Sequence, residues 1–176
     1  MEFHTPNFAG ITLLPEFQDI PLELKSTRIY KYSLPFKYPL VLKHTTLHER
    51  EGLIIILTDL NGHTGMGEIS PLPGFSRETL ETALLNTTML LDKMIGAGEF
   101  STHSYTVKKG GWQDSVAPAV SYFGVEAATL SLLANAKNVS PGDLIFGKST
   151  ARVPINGLIR GSLSDWVPEA ERMIND

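Results

Sequence analysis

The run Gly65-Met66-Gly67-Glu68-Ile69-Ser70-Pro71-Leu72-Pro73-Gly74-Phe75-Ser76-Arg77-Glu78-Thr79 holds the end of a strand, a proline-stiffened loop and the start of a helix. Ser76 is expected to cap that helix, with Glu78 in its first turn, where a negative charge meets the positive end of the helix dipole. Two readings of the middle stay open on residues alone. It is either a plain strand-to-helix connection or a rigid apolar loop that presents Leu72 and Phe75 to a ligand. Two prolines restrict φ and lower the entropy lost in holding such a loop. Gly65-Met66-Gly67 resembles the start of a dinucleotide fingerprint, but no third glycine follows at the right spacing and no βαβ unit surrounds it. Close backbone packing is the expected use of these glycines.

Upstream, Gly52-Leu53-Ile54-Ile55-Ile56-Leu57-Thr58-Asp59 is the strongest strand pattern in the chain. Asn61-Gly62 then suits a tight hairpin turn with positive φ angles, and the chain returns through Thr64 to Ser70. Ile29-Tyr30-Lys31-Tyr32-Ser33-Leu34 reads as a first strand, followed by a loop over Pro35–Pro39. Leu40-Val41-Leu42 and Thr45-Thr46 read as a second extended piece. Together these segments predict a short antiparallel meander. Residues 1–26, interrupted by Pro6, Pro15 and Pro21, read as an irregular arm packed on the body.

Downstream, Leu80, Leu84, Leu91 and Ile95 lie at helical spacings, and Gly96 or Gly98 closes that helix. Residues 99–114 read as a loop. A second helix starts near Pro118 or Ala119 and ends around Ala136, and its Gly124, Ala127 and Ala128 form a small-residue stripe that another element can approach closely. Val153 to Ile159 reads as a short strand. Ser164 then caps a last helix through Ala170, Met173 and Ile174. A strand and helix with no following strand are half of a βαβ unit, which leads to the expectation that the chain is incomplete.

Composition narrows the function classes. The 176 residues carry 15 Lys and Arg against 19 Asp and Glu, a formal charge of −4, which argues against a nucleic-acid partner. No cysteine is present, so disulfide frameworks, zinc–cysteine sites and thiol nucleophiles are excluded. No apolar run approaches the roughly 20 residues of a membrane span, and the first residues lack signal-peptide character. A cytoplasmic protein with no membrane partner is the expectation. The sequons at Asn86 and Asn138 are then coincidental. His44 and His48 stand four apart, but the sequence around them is extended and no glutamate lies between them, so a solvated or hydrogen-bonding role is expected rather than a metal site. His63, in the hairpin turn, is expected to be exposed. No nucleophile elbow, phosphate loop or acidic cluster for Mg²⁺ is present.

The run Gly67-Glu68-Ile69-Ser70-Pro71-Leu72-Pro73-Gly74-Phe75-Ser76, followed by Glu78-Thr79, resembles the N-terminal capping domain of o-succinylbenzoate synthase. That family lies in the muconate-lactonizing branch of the enolase superfamily. Arg50-Glu51-Gly52-Leu53, Phe123-Gly124-Val125-Glu126 within Val120–Leu133, and Val153-Pro154-Ile155-Asn156-Gly157-Leu158 extend the resemblance over roughly residues 28–176.

The resemblance implies an α+β fold: an antiparallel three-stranded meander followed by helices, plus the first β/α unit of a truncated (β/α) barrel. The corresponding division is 1–26 for the arm, 27–150 for the capping domain and its helix into the barrel, and 151–176 for the incomplete barrel. The activity it implies is that of a carbon–oxygen lyase, the Mg²⁺-dependent dehydration of a cyclohexadiene carboxylate (SHCHC) to o-succinylbenzoate in menaquinone biosynthesis. The family's catalytic lysines and Mg²⁺ ligands have no match here, so neither turnover nor metal binding is expected of this chain alone. What carries over is substrate capping, through Phe36 of the Leu34–Leu40 loop, Ser70, Leu72, Pro73 and Phe75. Asn156 of the first barrel strand joins them, though strand alternation leaves its role open with Gly157. The partner is a small-molecule carboxylate, and an exposed barrel-facing surface would favour oligomers. The same architecture also serves N-acylamino acid racemases and dipeptide epimerases, and a non-catalytic cap-like binding module is a further alternative.

Overall fold

The computed structural model describes residues 20–42, 45–96, 98–101, 119–147, 159 and 163–175. Strand β1 spans Pro21–Val41, β2 Thr46–Asp59, β3 Thr64–Ile69 and β4 Glu99–Ser101. Helix α1 spans Leu80–Gly96, α2 Ala119–Lys137, α3 Pro141–Phe146 and α4 Leu163–Asn175. The sheet order is β3-β2-β1-β4, and every pairing is antiparallel. The expected three-stranded meander is present, with β4 added as a short fourth strand against Pro21–Glu23.

Period-two burial builds the sheet. Leu53, Ile55, Leu57 and Asp59 of β2 point inward while Ile54, Ile56 and Thr58 are half-buried on the other face. The inner face packs on Ala83, Leu90, Leu91 and Met94 of α1 and on Val125, Ala128 and Leu132 of α2. Each fully buried Leu or Ile in such a layer contributes roughly 1.5–3 kcal/mol. Leu133 and Ala134 of α2 meet Leu144 of α3 in a smaller cluster, which Ile20 also joins.

Gly65 and Gly67 do what close packing requires. A Cβ on Gly67 would collide with the Gly124 carbonyl oxygen, and one on Gly65 with the backbone of Ala128 and Leu132. The small-residue stripe of α2 therefore lies directly on the strand backbone. Beyond that contact α2 also serves the outer edge of β3. Ser131 Oγ accepts from the Met66 N–H at 3.2 Å, and Asn135 Nδ2 donates to the Thr64 carbonyl at 3.0 Å. Side chains thus occupy edge groups that would otherwise invite another strand.

Several expectations need correction. The first strand does not stop at a loop over 35–39. It continues to Val41, and the register slips between Pro35 and Leu40. Prolines cannot donate to a ladder, and a bulge is where a strand tolerates them. The strand also begins eight residues earlier than Ile29, with Leu22 and Leu24 buried, so it crosses the limit drawn at residue 26.

The hairpin turn is a three-residue Leu60-Asn61-Gly62 loop, closed by the Asp59 N–H on the His63 carbonyl at 3.1 Å. Only Gly62 there takes a positive φ, of 89°, as in a type I turn followed by a bulge. His63 is half-buried rather than exposed, with Nδ1 2.8 Å from Asp59 Oδ2.

In α1 the buried stripe is Ala83, Thr87, Leu90, Leu91 and Met94, whereas Leu84 and Ile95 face outward. The second helix matches its expected limits closely. Short α3 was not anticipated, although Ser140 and Asp143 form a reciprocal capping box at its start. The last helix is present but begins at Leu163, so Ser164 lies inside its first turn rather than capping it, while the Val153–Ile159 strand falls outside the described residues apart from Ile159.

Candidate functional site

The Ser70–Ser76 segment leaves the sheet as a closed loop. The Leu72 carbonyl accepts from the Phe75 N–H at 3.0 Å and the Ser76 N–H at 2.8 Å. The Leu72 N–H donates to Ser76 Oγ at 2.9 Å. Gly74 supplies the positive φ, 83°, that the turn needs. Ser76 is therefore the brace of this loop and not the helix cap. The cap is Thr79, whose hydroxyl accepts from the Thr82 N–H at 3.2 Å while Thr82 Oγ1 accepts from the Thr79 N–H at 2.8 Å. Glu78 serves the other helix. Its Oε2 accepts from the Val120 N–H at 2.7 Å and the Ser121 N–H at 3.3 Å, and Ser121 Oγ donates to Oε1. The acidic charge does meet a helix N-terminus, that of α2 rather than α1.

The start of the loop is fastened to β2. Arg50 Nη1 donates to the Pro71 carbonyl at 3.0 Å, and Nη2 donates to the Ser70 carbonyl. Ser70 Oγ donates to the Glu51 carbonyl at 2.9 Å. Beside them Tyr32 lies over Gly52, its cross-strand partner, and its hydroxyl donates to Glu68. Burial and the Glu68 carboxylate both raise the Tyr32 pKa, which keeps the phenol protonated as the donor. Lys31 Nζ pairs with Glu51 Oε1 at 2.9 Å, and that carboxylate holds the ammonium pKa above its usual value.

A cleft of about 610 Å³ opens between the Thr46–Glu51 stretch of β2 and the segment from Pro71 to Glu81. Pro71, Pro73, Gly74 and Ser76 line it, along with His48, Arg50 and Arg77.

The expected site residues are placed as follows. Phe36 sits half-buried in the β1 bulge, within the register slip opposite His48. Ser70 and Leu72 are half-buried, and Pro73 is exposed on the cleft wall. Phe75 is 73% exposed, an unusual state for a large aromatic side chain in a loop held this firmly. Ser70, Leu72, Pro73 and Phe75 thus share one braced loop. Asn156 lies outside the described residues, as does His44. Arg50 and Ser76 are structural members of the site that sequence reasoning missed, because their partners are set by the folded loop. Among the described residues no three His, Asp or Glu side chains stand together as metal ligands. The described residues therefore do not fit a Mg²⁺ site, and no step through a metal is derived from them. No described helix is long and apolar enough to cross a membrane.

An antiparallel meander whose inner face carries two helices, with a braced apolar loop at the exit of its third strand, is the fold this chain shares with structures of the enolase superfamily. An enolase-superfamily member from Listeria innocua Clip11262 superposes with a TM-score of 0.67 at 18% identity, covering 88% of this chain and 41% of that one. Residues 24–132 match the family model "MenC, N-terminal domain", and the chain belongs to that family. An o-succinylbenzoate synthase of Vibrio cholerae serotype O1 (strain M66-2) is 46% identical over 72 residues, 41% of this chain and 21% of that protein. One from Aliivibrio fischeri (strain MJ11) is 36% identical over 109 residues, 62% of this chain and 30% of that protein. The chain thus spans less than a third of the length of these relatives.

Proposed function

We propose that this chain is the substrate-capping portion of an o-succinylbenzoate synthase, whose complete form is a hydro-lyase of menaquinone biosynthesis that dehydrates SHCHC. The observation that carries this reading is the loop: Phe75 stands out into solvent from a backbone held by Arg50, Ser76 and two prolines. An exposed apolar side chain on a rigid support costs little further entropy when it covers a ligand. In this role Leu72, Pro73 and Phe75 exclude water from one side of the substrate, and Phe36 adds a second apolar wall from the β1 bulge. Ser70, whose hydroxyl proton is already given to Glu51, can offer the substrate only an acceptor. Asn156, named by the family resemblance, is the remaining candidate for contact with the substrate. The catalytic lysines and the Mg²⁺ ligands belong to the remainder of the complete enzyme. A metal held there would supply electrostatic stabilisation for the substrate carboxylate.

The test is a graft. Residues 24–132 replace the equivalent segment of the Vibrio cholerae relative, and the hybrid is assayed with SHCHC and with dipeptides. Dehydration of SHCHC at a rate within about tenfold of the parent supports the reading, a loss under about 1.4 kcal/mol of transition-state stabilisation. A folded hybrid that epimerises dipeptides and leaves SHCHC untouched overturns it in favour of an epimerase cap. A hybrid inactive on both points to a non-catalytic binding module.

A further inference from the structure

Arg50 is the most unusual charged residue of the described structure. It is half-buried, its guanidinium donates to neutral groups, and those groups are the consecutive carbonyls of Ser70 and Pro71. The nearby carboxylates are committed elsewhere: Glu49 accepts from Ser33 Oγ at 2.5 Å, Glu51 pairs with Lys31 at 2.9 Å, and Glu68 accepts from Tyr32. The guanidinium is thus left to the loop. Its planar fork suits this task, since two N–H groups at fixed spacing can meet two adjacent carbonyls, and a lysine ammonium cannot reproduce that geometry.

The two carbonyls lie just ahead of the turn closed by Leu72 and Ser76. Pro71 and Pro73 have no N–H to contribute, so this stretch of backbone lacks the ladder bonds that hold a strand. Fixing the Ser70 and Pro71 peptides therefore fixes the direction in which Leu72 and Phe75 leave the sheet.

We infer that Arg50 is a positioning residue: a clamp that sets the presentation of Leu72 and Phe75, and through them the affinity of the capped site for its substrate. The affinity part rests on the capping function proposed above; the clamp itself does not. An interaction that holds a binding wall in place, remote from the reacting atoms, acts on substrate and transition state alike, so its loss raises KM and leaves kcat near its starting value.

Two measurements test this. The first is amide hydrogen exchange on the 176-residue chain with Arg50→Lys, Arg50→Gln and, as a control, Lys31→Ala, which breaks the neighbouring exposed ion pair. Charge-assisted bonds of this kind hold a segment by about ten- to a hundredfold in its opening equilibrium. Exchange at Leu72, Phe75 and Ser76 is expected to speed up by that factor in Arg50→Gln and by less in Arg50→Lys. Ile55 and Leu57 should stay protected in both, and the control should leave the loop unchanged. Loop exchange that is unaltered in Arg50→Gln, or that rises equally across β2, overturns the clamp.

The second is the kinetics of the grafted enzyme carrying the same substitutions. A KM raised about tenfold in Arg50→Gln, with kcat within about twofold and partial recovery in Arg50→Lys, supports the link to substrate. A freed loop with an unchanged KM leaves the clamp standing and overturns the substrate-facing reading of the loop. A fall in kcat at constant KM overturns the positioning role.

Discussion

Glu126 is a carboxyl group buried to 6% exposure on α2, and its Oε2 has no hydrogen-bond partner among the described residues. Burial disfavours the charged form and pushes its pKa up to about 7, from 4.5 for a free side chain. The sign follows directly. Below about pH 4.5 the group is protonated in both folded and unfolded chains and has no effect. Between 4.5 and 7 the unfolded chain releases the proton while the folded one keeps it, so stability falls as pH rises. Above 7 the deficit is constant. Urea unfolding at pH 5 and pH 8 should show a loss of about 2–3 kcal/mol from this group, and Glu126→Gln should abolish that part of the slope. A variant with the same pH dependence as the parent would show that the group is ionised and solvated in the folded state. Asp59 is the contrasting case. Burial works to raise its pKa, but the hydrogen bonds and charge of His63 more than offset that, and it ends below its usual value.

At the scale of elements, the contact between β3 and α2 decides whether the sheet has its layer of helices. Gly67→Ala drives a methyl into the Gly124 carbonyl, a backbone atom that cannot swing aside. A cost of about 3 kcal/mol or more is expected, read as a lowered midpoint in thermal or urea unfolding. Gly62→Ala, where the added methyl meets open space and only the φ of 89° is strained, should cost about 1 kcal/mol. Equal effects at the two positions would contradict the packing account. The glycine pair and the α2 stripe were legible in the sequence because both carry their signal locally, as small residues at strand and helix spacing. The bulge at Phe36–Pro39 was not legible. Pro35 and Pro39 at its two ends look like a loop, and only pairing with Leu47 and Thr46 beyond the slip keeps the strand going. The start of β1 was hidden in the same way: Leu22 and Leu24 alternate correctly, but Pro21 masked a strand that it merely begins. Ser76 and Glu78 had the chemistry of helix-capping residues, yet a loop turn and a distant helix claimed them. Their partners depend on tertiary placement, which no local pattern records.

For the whole molecule, the sheet and its two long helices carry one polar network at the edge beside the loop that leaves β3. Tyr32, Arg50, Ser70 and Ser76 hold a loop whose apolar tip stays in water. Under the capping function proposed above, that tip is covered by a small-molecule carboxylate substrate. Nearly all of this edge could be located from the Gly67–Ser76 run, whereas the clamp that stiffens it became visible only in three dimensions. The most direct test of the central claim is steady-state kinetics of the grafted enzyme with Phe75→Ala. The account predicts a KM for SHCHC raised about tenfold or more, as expected for a lost aromatic wall worth at least about 1.4 kcal/mol, with the fold intact by circular dichroism. A KM equal to that of the unsubstituted hybrid would contradict it.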